Sequence, residues 1–312
     1  MKFIFFGTSA GRPTKQRNVS ALAMEFENDN KWYLFDCGEA TQHQILKSRL
    51  SSAKLDTIFI THLHGDHVYG LFGLITSRML DKITKPLTIY GPKGLKDLIS
   101  SVVDIRFEHL GYKLIINEIY AGSEIIFDKF RVTVLPLMHS VECFAYYIKE
   151  NDKSNKINQE KLIKDGLNPC ALYGDIKKGK DVEFNGKKYK AKDYLLEPIL
   201  GQKVIISGDN AEPEILCPYL ENLDLLIHES TYIQDIFDNM ETKYMHTTAK
   251  NLAVISQKYN IKNLIATHVS PRFTTNEPIL NEIKQYYNGN AFVANDFDEF
   301  ELKGGSVKLI DD

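Results

Sequence analysis

The segment Thr61-His62-Leu63-His64-Gly65-Asp66-His67 gathers three imidazoles and a carboxylate into six positions, directly behind the apolar run Thr57-Ile58-Phe59-Ile60. Imidazole nitrogen and carboxylate oxygen are donors suited to zinc and its borderline neighbours. Side chains alternate along an extended chain, so His62 and His64 point the same way off a strand end. Gly65 permits a sharp turn, after which Asp66 and His67 face back from the start of the next helix. Two ligand pairs with different directions imply two metals rather than one. The plain alternative, a His-rich solvated loop, does not account for that spacing.

The elements that must position these groups follow from periodicity and from Gly and Pro punctuation. Strands are expected at 3–6, 21–26, 32–35, 57–60, 87–90, 113–119, 130–135 and 144–148, then at 204–206, 223–227 and 264–266. Helices are expected near 39–47, 68–79, 94–103 and 247–259. An apolar strand ending in a ligand-type residue recurs at 57–62, 132–139, 204–209, 223–229 and 263–268. It delivers His62, His139, Asp209, Glu229 and His268. Open sheets place function at the carboxyl ends of their strands, so one site is expected, built within a single domain spanning 1–312.

The chain has 312 residues, 43% of them hydrophobic and 25% charged, which fits a soluble globular protein and excludes a disordered one. No apolar run approaches the roughly 20 residues that span a bilayer. The first residues read as a strand rather than a signal sequence. Cys37, Cys143, Cys170 and Cys217 form no Cys-x-x-Cys pair, so neither a disulfide framework nor a thiolate metal site is signalled, and a cytoplasmic setting is expected. Net charge is −3, yet residues 149–192 carry 12 Lys against 7 acidic residues. A basic segment on an acidic body suits a polyanion, although a solvated Lys-rich arm has the same composition. Between 150 and 198 the chain is polar and Gly-punctuated. It reads as an insertion with at most one short helix, at 159–164.

The pattern His-x-His-x-Asp-His after a strand, with His139, Asp209 and His268 at later strand ends, resembles the metallo-β-lactamase fold of binuclear metallohydrolases. Nearly the whole chain resembles the ribonuclease Z family of tRNA 3′-processing endoribonucleases. That resemblance rests on Phe6-Gly7-Thr8-Ser9-Ala10-Gly11, Pro13-Thr14-Lys15-Gln16-Arg17-Asn18, Asp36-Cys37-Gly38-Glu39-Ala40-Thr41-Gln42, Tyr90-Gly91-Pro92, Leu226-Ile227-His228-Glu229 and Thr267-His268. It implies a mixed α/β, four-layer αββα sandwich, with the 150–198 insertion as a flexible arm that grips the tRNA elbow. It further implies two zinc ions per subunit, other divalent metals being compatible with the same donors. His62, His64 and His139 would hold one ion, Asp66, His67 and His268 the other, and Asp209 would bridge them. The implied reaction leaves a 3′-hydroxyl on the tRNA and a 5′-phosphate on the trailer. Asp66 would orient or deprotonate the water, and His246, held by Glu229, would protonate the departing 3′-oxygen. A homodimer whose arm serves the partner's site is implied as well.

Read without the resemblance, His246 is equally a helix-capping or surface residue. Lys15 and Arg17 are placed to touch the RNA 3′ end, Ser270 and Arg272 to meet a phosphate at the site mouth, and Lys177 and Lys178 to form the basic turn of the arm. His228 reads as a group behind the ligands, His43 as a packing or subunit-contact residue, and His109 as structural. Two departures from the family pattern stand out. Asn210 replaces a threonine after Asp209, and Asn168-Pro169 stands where a Gly-Pro pair precedes the basic turn. A small-molecule ester hydrolase of the same fold is the competing enzyme reading, because a metal pair polarises carbonyl and phosphoryl oxygen alike. A non-catalytic RNA-binding scaffold is a third, and the complete set of ligand positions argues against it.

Overall fold

The computed structural model describes residues 1–102, 110–152, 156–197 and 200–310. His109 therefore lies outside the described residues. An eight-stranded sheet has the order β17-β16-β1-β2-β3-β4-β5-β6. Its members are β1 (Lys2–Gly7), β2 (Ala21–Glu25), β3 (Trp32–Phe35), β4 (Leu55–Phe59), β5 (Leu87–Gly91), β6 (Leu114–Glu118), β16 (Glu299–Lys303) and β17 (Ser306–Ile310). A seven-stranded sheet has the order β15-β14-β13-β12-β9-β8-β7. It comprises β7 (Glu124–Ile126), β8 (Phe130–Pro136), β9 (Phe144–Glu150), β12 (Lys203–Ser207), β13 (Leu225–Glu229), β14 (Asn263–Thr267) and β15 (Asn290–Val293). The first sheet is antiparallel at β1–β3 and parallel from β3 to β6, and the second is parallel from β12 to β15.

Parallel neighbours need crossovers, and those supply the outer layers. Helices α1 (Thr41–Lys47), α2 (Gly65–Val68), α3 (Gly70–Leu80) and α4 (Leu95–Val102) serve the first sheet. The period-2 alternation of β1 turns Ile4 and Phe6 toward Leu71, Leu74 and Ile75 of α3. On the second sheet, Ile205, Leu226 and Leu264 pack with residues of α8 (Ala249–Lys258) and α9 (Glu277–Tyr286), and the short α7 (Gln234–Asp238) precedes them. Between the sheets Phe35 stacks on Phe59 at 5.0 Å, and Tyr146 of β9 tilts against both at 5.7 and 5.1 Å. The layers thus run helix, sheet, sheet, helix, as expected. Among the described residues no helix is long and apolar enough to cross a membrane.

The chain divides into two compact units, 1–126 with 132–148 and 203–312, and 127–131 with 149–202. The second unit is more ordered than its composition foretold. It holds α5 (Gln159–Lys164), α6 (Leu172–Lys177) and a hairpin of β10 (Val182–Phe184) and β11 (Lys187–Tyr189). Its own small core includes Leu162, Leu167, Tyr173, Ile176 and Tyr189. The hairpin turns on Asn185-Gly186, both at positive φ (50° and 76°), the conformation that a type I′ turn demands. Lys177 and Lys178 are exposed at the end of α6, where cations favour the helix dipole. The expected helix at 68–79 is interrupted at Tyr69, so that α2 carries Asp66 and His67 by itself.

The stacked rings set a stability expectation. Phe59→Ala, opening a void beside Phe35, Tyr90 and Tyr146, should cost about 3–5 kcal/mol in equilibrium urea unfolding.

Candidate metal centre

The two sheets meet at Phe144, whose N–H donates to the Thr61 carbonyl at 3.0 Å while its own carbonyl accepts from Gly208 N–H at 3.1 Å. Thr61 follows β4 and Gly208 follows β12, so this seam brings His62 and Asp209 together. Only glycine fits at 208, because a Cβ there would sit 2.6 Å from the Thr61 Cβ. Asp36, ending β3, ties the same seam down. Its Oδ1 accepts from Thr61 N–H at 2.8 Å, and its Oδ2 accepts from Thr61 Oγ1 at 2.9 Å. The same Oδ2 lies 2.7 Å from His67 Nδ1.

Donor atoms of His62, His64, His139 and Asp209 lie within 4.8 Å of one another, and so do those of Asp66, His67 and His268. Within the first group His64 Nδ1 is 3.1 Å from His62 Nε2 and 3.2 Å from His139 Nε2. Asp209 Oδ2 is 3.7 and 3.8 Å from the latter two nitrogens. Within the second, Asp66 Oδ2 is 3.5 Å from His67 Nε2 and 3.4 Å from His268 Nε2. Asp209 turns its other oxygen, Oδ1, to those same nitrogens at 3.5 and 3.4 Å. Bonds of about 2.0 Å in a tetrahedron put neighbouring ligand atoms about 3.3 Å apart. The separations are therefore those of tetrahedral edges, with one carboxylate oxygen for each group.

Fit to a cation is supported by an orphaned atom. His67 Nε2 is buried and, among the described residues, has no hydrogen-bond partner. Burial alone would keep that ring neutral, but Asp209, Asp36 and Asp66 outweigh it and hold its pKa well above the ordinary value. The field that favours a proton on His67 favours a divalent cation equally. Asp66 is likewise opposed by burial, and the imidazoles of His67 and His268 still keep its carboxyl well below the usual range. His62 is pushed well down by burial and by the surrounding imidazoles, which leaves it neutral and able to donate a lone pair.

The far nitrogens of the rings are also engaged, which fixes tautomer and orientation. His62 Nδ1 lies 3.0 Å from Thr61 Oγ1, His139 Nδ1 3.0 Å from the Met245 carbonyl, and His268 Nδ1 3.1 Å from Thr231 Oγ1. His268 adopts φ 54°, a left-handed conformation costly for a non-glycine residue and characteristic of functional positions. Gly11 N–H donates to Asp66 Oδ2 at 2.8 Å.

His246 and Glu229 come together beside this cluster. His246 Nδ1 is 3.0 Å from Glu229 Oε1 and 3.9 Å from Asp209 Oδ2. Burial works against a charged imidazole here, but Glu229 prevails and lifts the His246 pKa to about 9. Glu229 is fully buried, accepts from Asn210 N–H at 2.7 Å and from Thr231 Oγ1, and stays ionised despite burial because of His246. With Nδ1 on the carboxylate, Nε2 is the nitrogen left for a substrate. His246 lines a cleft with His64, Asp66, His139, Lys243 and Tyr244.

Several expected residues stand elsewhere. The Arg17 guanidinium, expected to touch the RNA 3′ end, is buried. It donates to Thr8 Oγ1, the Ala294 carbonyl, Asn276 Oδ1 and Asn295 Oδ1. Lys15, two residues earlier, is exposed. Ser270, expected to meet a phosphate at the site mouth, is buried, and its Oγ accepts from the Arg272 N–H at 3.4 Å. Arg272 is exposed and borders a depression with Asp235, Glu241 and Tyr244. His43 is exposed on α1, not packed. His228 is buried behind the cluster, bonded to Asn210 Nδ2 at 3.0 Å and to the Glu229 carbonyl at 2.7 Å. Asn210 is likewise internal, and its Oδ1 accepts from Met138 N–H at 3.1 Å. The amide therefore braces the loop before His139. Asp36, Thr231 and Gly11 received no role from the sequence. Asp36 was findable, because it too ends an apolar strand.

Comparison with known proteins follows the same lines. A family model described as anti-Pycsar protein Apyc1 matches residues 1–140. A ribonuclease Z of Marinobacter nauticus is 38% identical over 314 residues, covering 97% of each chain. One of Listeria monocytogenes is 41% identical over 275 residues, covering 88% of this chain and 90% of its own. The crystal structure of human tRNase Z, short form, superposes with a TM-score of 0.68 at 25% identity, over 97% of this chain and 100% of that one.

Removing the charge behind His67 tests the metal assignment. Asp36→Asn should weaken Zn²⁺ binding about 10–100-fold in competition with a chromophoric chelator. Unchanged affinity would sever Asp36 from the centre.

Proposed function

The chain belongs to the ribonuclease Z family, and on that footing we propose that it is a metal-dependent endoribonuclease removing the 3′ trailer from precursor tRNA. The observation that carries the proposal is Asp209, which offers one oxygen to each of two donor clusters beside a carboxylate-backed imidazole. In this reading His62, His64 and His139 would hold one zinc ion and Asp66, His67 and His268 a second, with one oxygen of Asp209 toward each group. When bound, the two cations supply Lewis-acid charge at the phosphoryl group and lower the pKa of a water.

The chain's own groups do the rest. Glu229 keeps the His246 imidazole charged and its Nδ1 occupied, so Nε2 carries the proton that the departing 3′-oxygen needs. Asp66, held by Gly11 N–H, orients the attacking water. In-line displacement then leaves the hydroxyl on the tRNA and the phosphate on the trailer. Lys15 and Arg272, both exposed, contact the substrate 3′ end, while the exposed lysines of the second unit, Lys177 and Lys178 among them, neutralise phosphates of the tRNA body. We also assign a homodimer on the strength of the family; Leu46 on α1 and Leu80 on α3, 82% and 74% exposed, are apolar surface that a second copy would cover.

Incubation of the Zn²⁺-loaded protein with a 3′-extended tRNA should give one cut at the trailer junction. Cleavage of a small phosphodiester alone would favour a small-molecule hydrolase. His246→Ala should slow cleavage about 10²–10⁴-fold with metal content unchanged; loss of metal would make it a ligand. Replacing Lys177 and Lys178 by Ala should raise KM for precursor tRNA and flatten its dependence on salt.

A further inference from the structure

Arg17 is a buried cation that, among the described residues, makes no hydrogen bond to a carboxylate, in a loop where Lys15 and Gln16 are exposed. Its four hydrogen bonds, at 2.5–3.0 Å, run to Thr8 Oγ1, the Ala294 carbonyl, Asn276 Oδ1 and Asn295 Oδ1. Asp296 completes the bolt: its carboxylate accepts from Thr8 Oγ1 at 2.8 Å, from Asn18 N–H at 2.6 Å and from Gln44 Nε2 at 3.1 Å. Thr8 and Ser9 N–H groups both donate to the Asn18 carbonyl, at 2.9 and 2.8 Å, which closes the 8–18 loop on itself.

The segment so clamped reaches two candidate ligands of the second cluster, His268 after β14 and Asp66 on α2. Val269 N–H, immediately after His268, donates to the Thr8 carbonyl at 2.8 Å, and the Val269 carbonyl accepts from Ala10 N–H at 3.1 Å. One residue further, Gly11 N–H donates to Asp66 Oδ2. Thr8 is thus the hinge between a buried arginine on one side and two ligands of the second cluster on the other. Thr8, Ala10 and Gly11 are thus tied in turn to Arg17, Val269 and Asp66.

We propose that Arg17 is a positioning residue for the metal centre, and not an RNA contact: through Thr8 it sets the 8–11 segment that orients Asp66 and braces His268. The proposal rests on the metal-diesterase reading, and its test separates the two. Arg17→Met keeps an unbranched apolar stem and removes the fork of donors. It should weaken Zn²⁺ retention about tenfold or more against a chromophoric chelator. It should also lower kcat for bis(p-nitrophenyl) phosphate and for precursor tRNA by similar factors, with KM for the tRNA within about twofold of wild type. Arg17→Lys should remain impaired, since an ammonium cannot replace a planar fork that makes four bonds. Were Arg17 an RNA contact, lysine would largely suffice, Zn²⁺ retention and small-diester turnover would be unchanged, and only the tRNA KM would rise; that result overturns the proposal. If Arg17→Met fails to fold by circular dichroism, Thr8→Val carries the same test with a smaller perturbation. Wild-type protein inactive on both substrates would reject the functional reading, while the Zn²⁺ comparison would still decide the role of Arg17.

Discussion

Three carboxylates, Asp36, Asp66 and Asp209, converge on the buried ring of His67, and that concentration of negative charge governs the rest of the site. Buried charges of one sign are tolerable only when cations and hydrogen bonds surround them. Here Thr61 supplies two hydrogen bonds to Asp36, Gly11 supplies one to Asp66, and imidazoles from four separate strand ends or turns crowd Asp66 and Asp209. Burial opposes a proton on His67, yet Asp209, Asp36 and Asp66 hold its pKa well above the ordinary value. Divalent cations would answer the same demand, because the donor atoms already stand at about the edge separations of a tetrahedron.

The fold can be understood as the means of assembling that cluster. Two sheets packed through Phe35, Phe59 and Tyr146 bring β4 and β12 end to end, and the Thr61–Phe144–Gly208 hydrogen bonds lock the junction. Rigidity comes from the layers on either side, whose helices bury the outer faces of both sheets. Ligands held this way need little reorganisation when a metal arrives or when a phosphoryl group changes shape. His246 stands apart from that frame, on the loop before α8, and depends on Glu229 for its orientation.

Much of this was legible in the chain. The candidate donors could be read because His62, His139, Asp209 and His268 follow apolar strands and His64, Asp66 and His67 continue the same motif into α2, and strand ends have a local signature in composition and periodicity. Helix α9, strands β15–β17 and the internal order of the second unit carried a weaker one. The helix and hairpin in 172–189 rest on a few apolar residues spaced widely among lysines, and the Asn185-Gly186 turn was their clearest mark.

What the sequence determined by itself was the inventory: which donors exist, in what order, and that His62 to His67 form one continuous motif. Local chemistry is enough for that, since ligand type and strand-to-turn transitions are properties of a few adjacent residues. Only the tertiary structure decided direction and depth. It turned Arg17 and Ser270 inward, although both follow exposed-looking loop patterns, and it gave Asp36 and Asn210 places behind the ligands. It also split Asp209 between two clusters. Those outcomes depend on contacts between residues up to 278 positions apart. Whether a polar side chain in a loop faces water or a buried carbonyl is settled by what the distant chain leaves unpaired, and no local pattern records it.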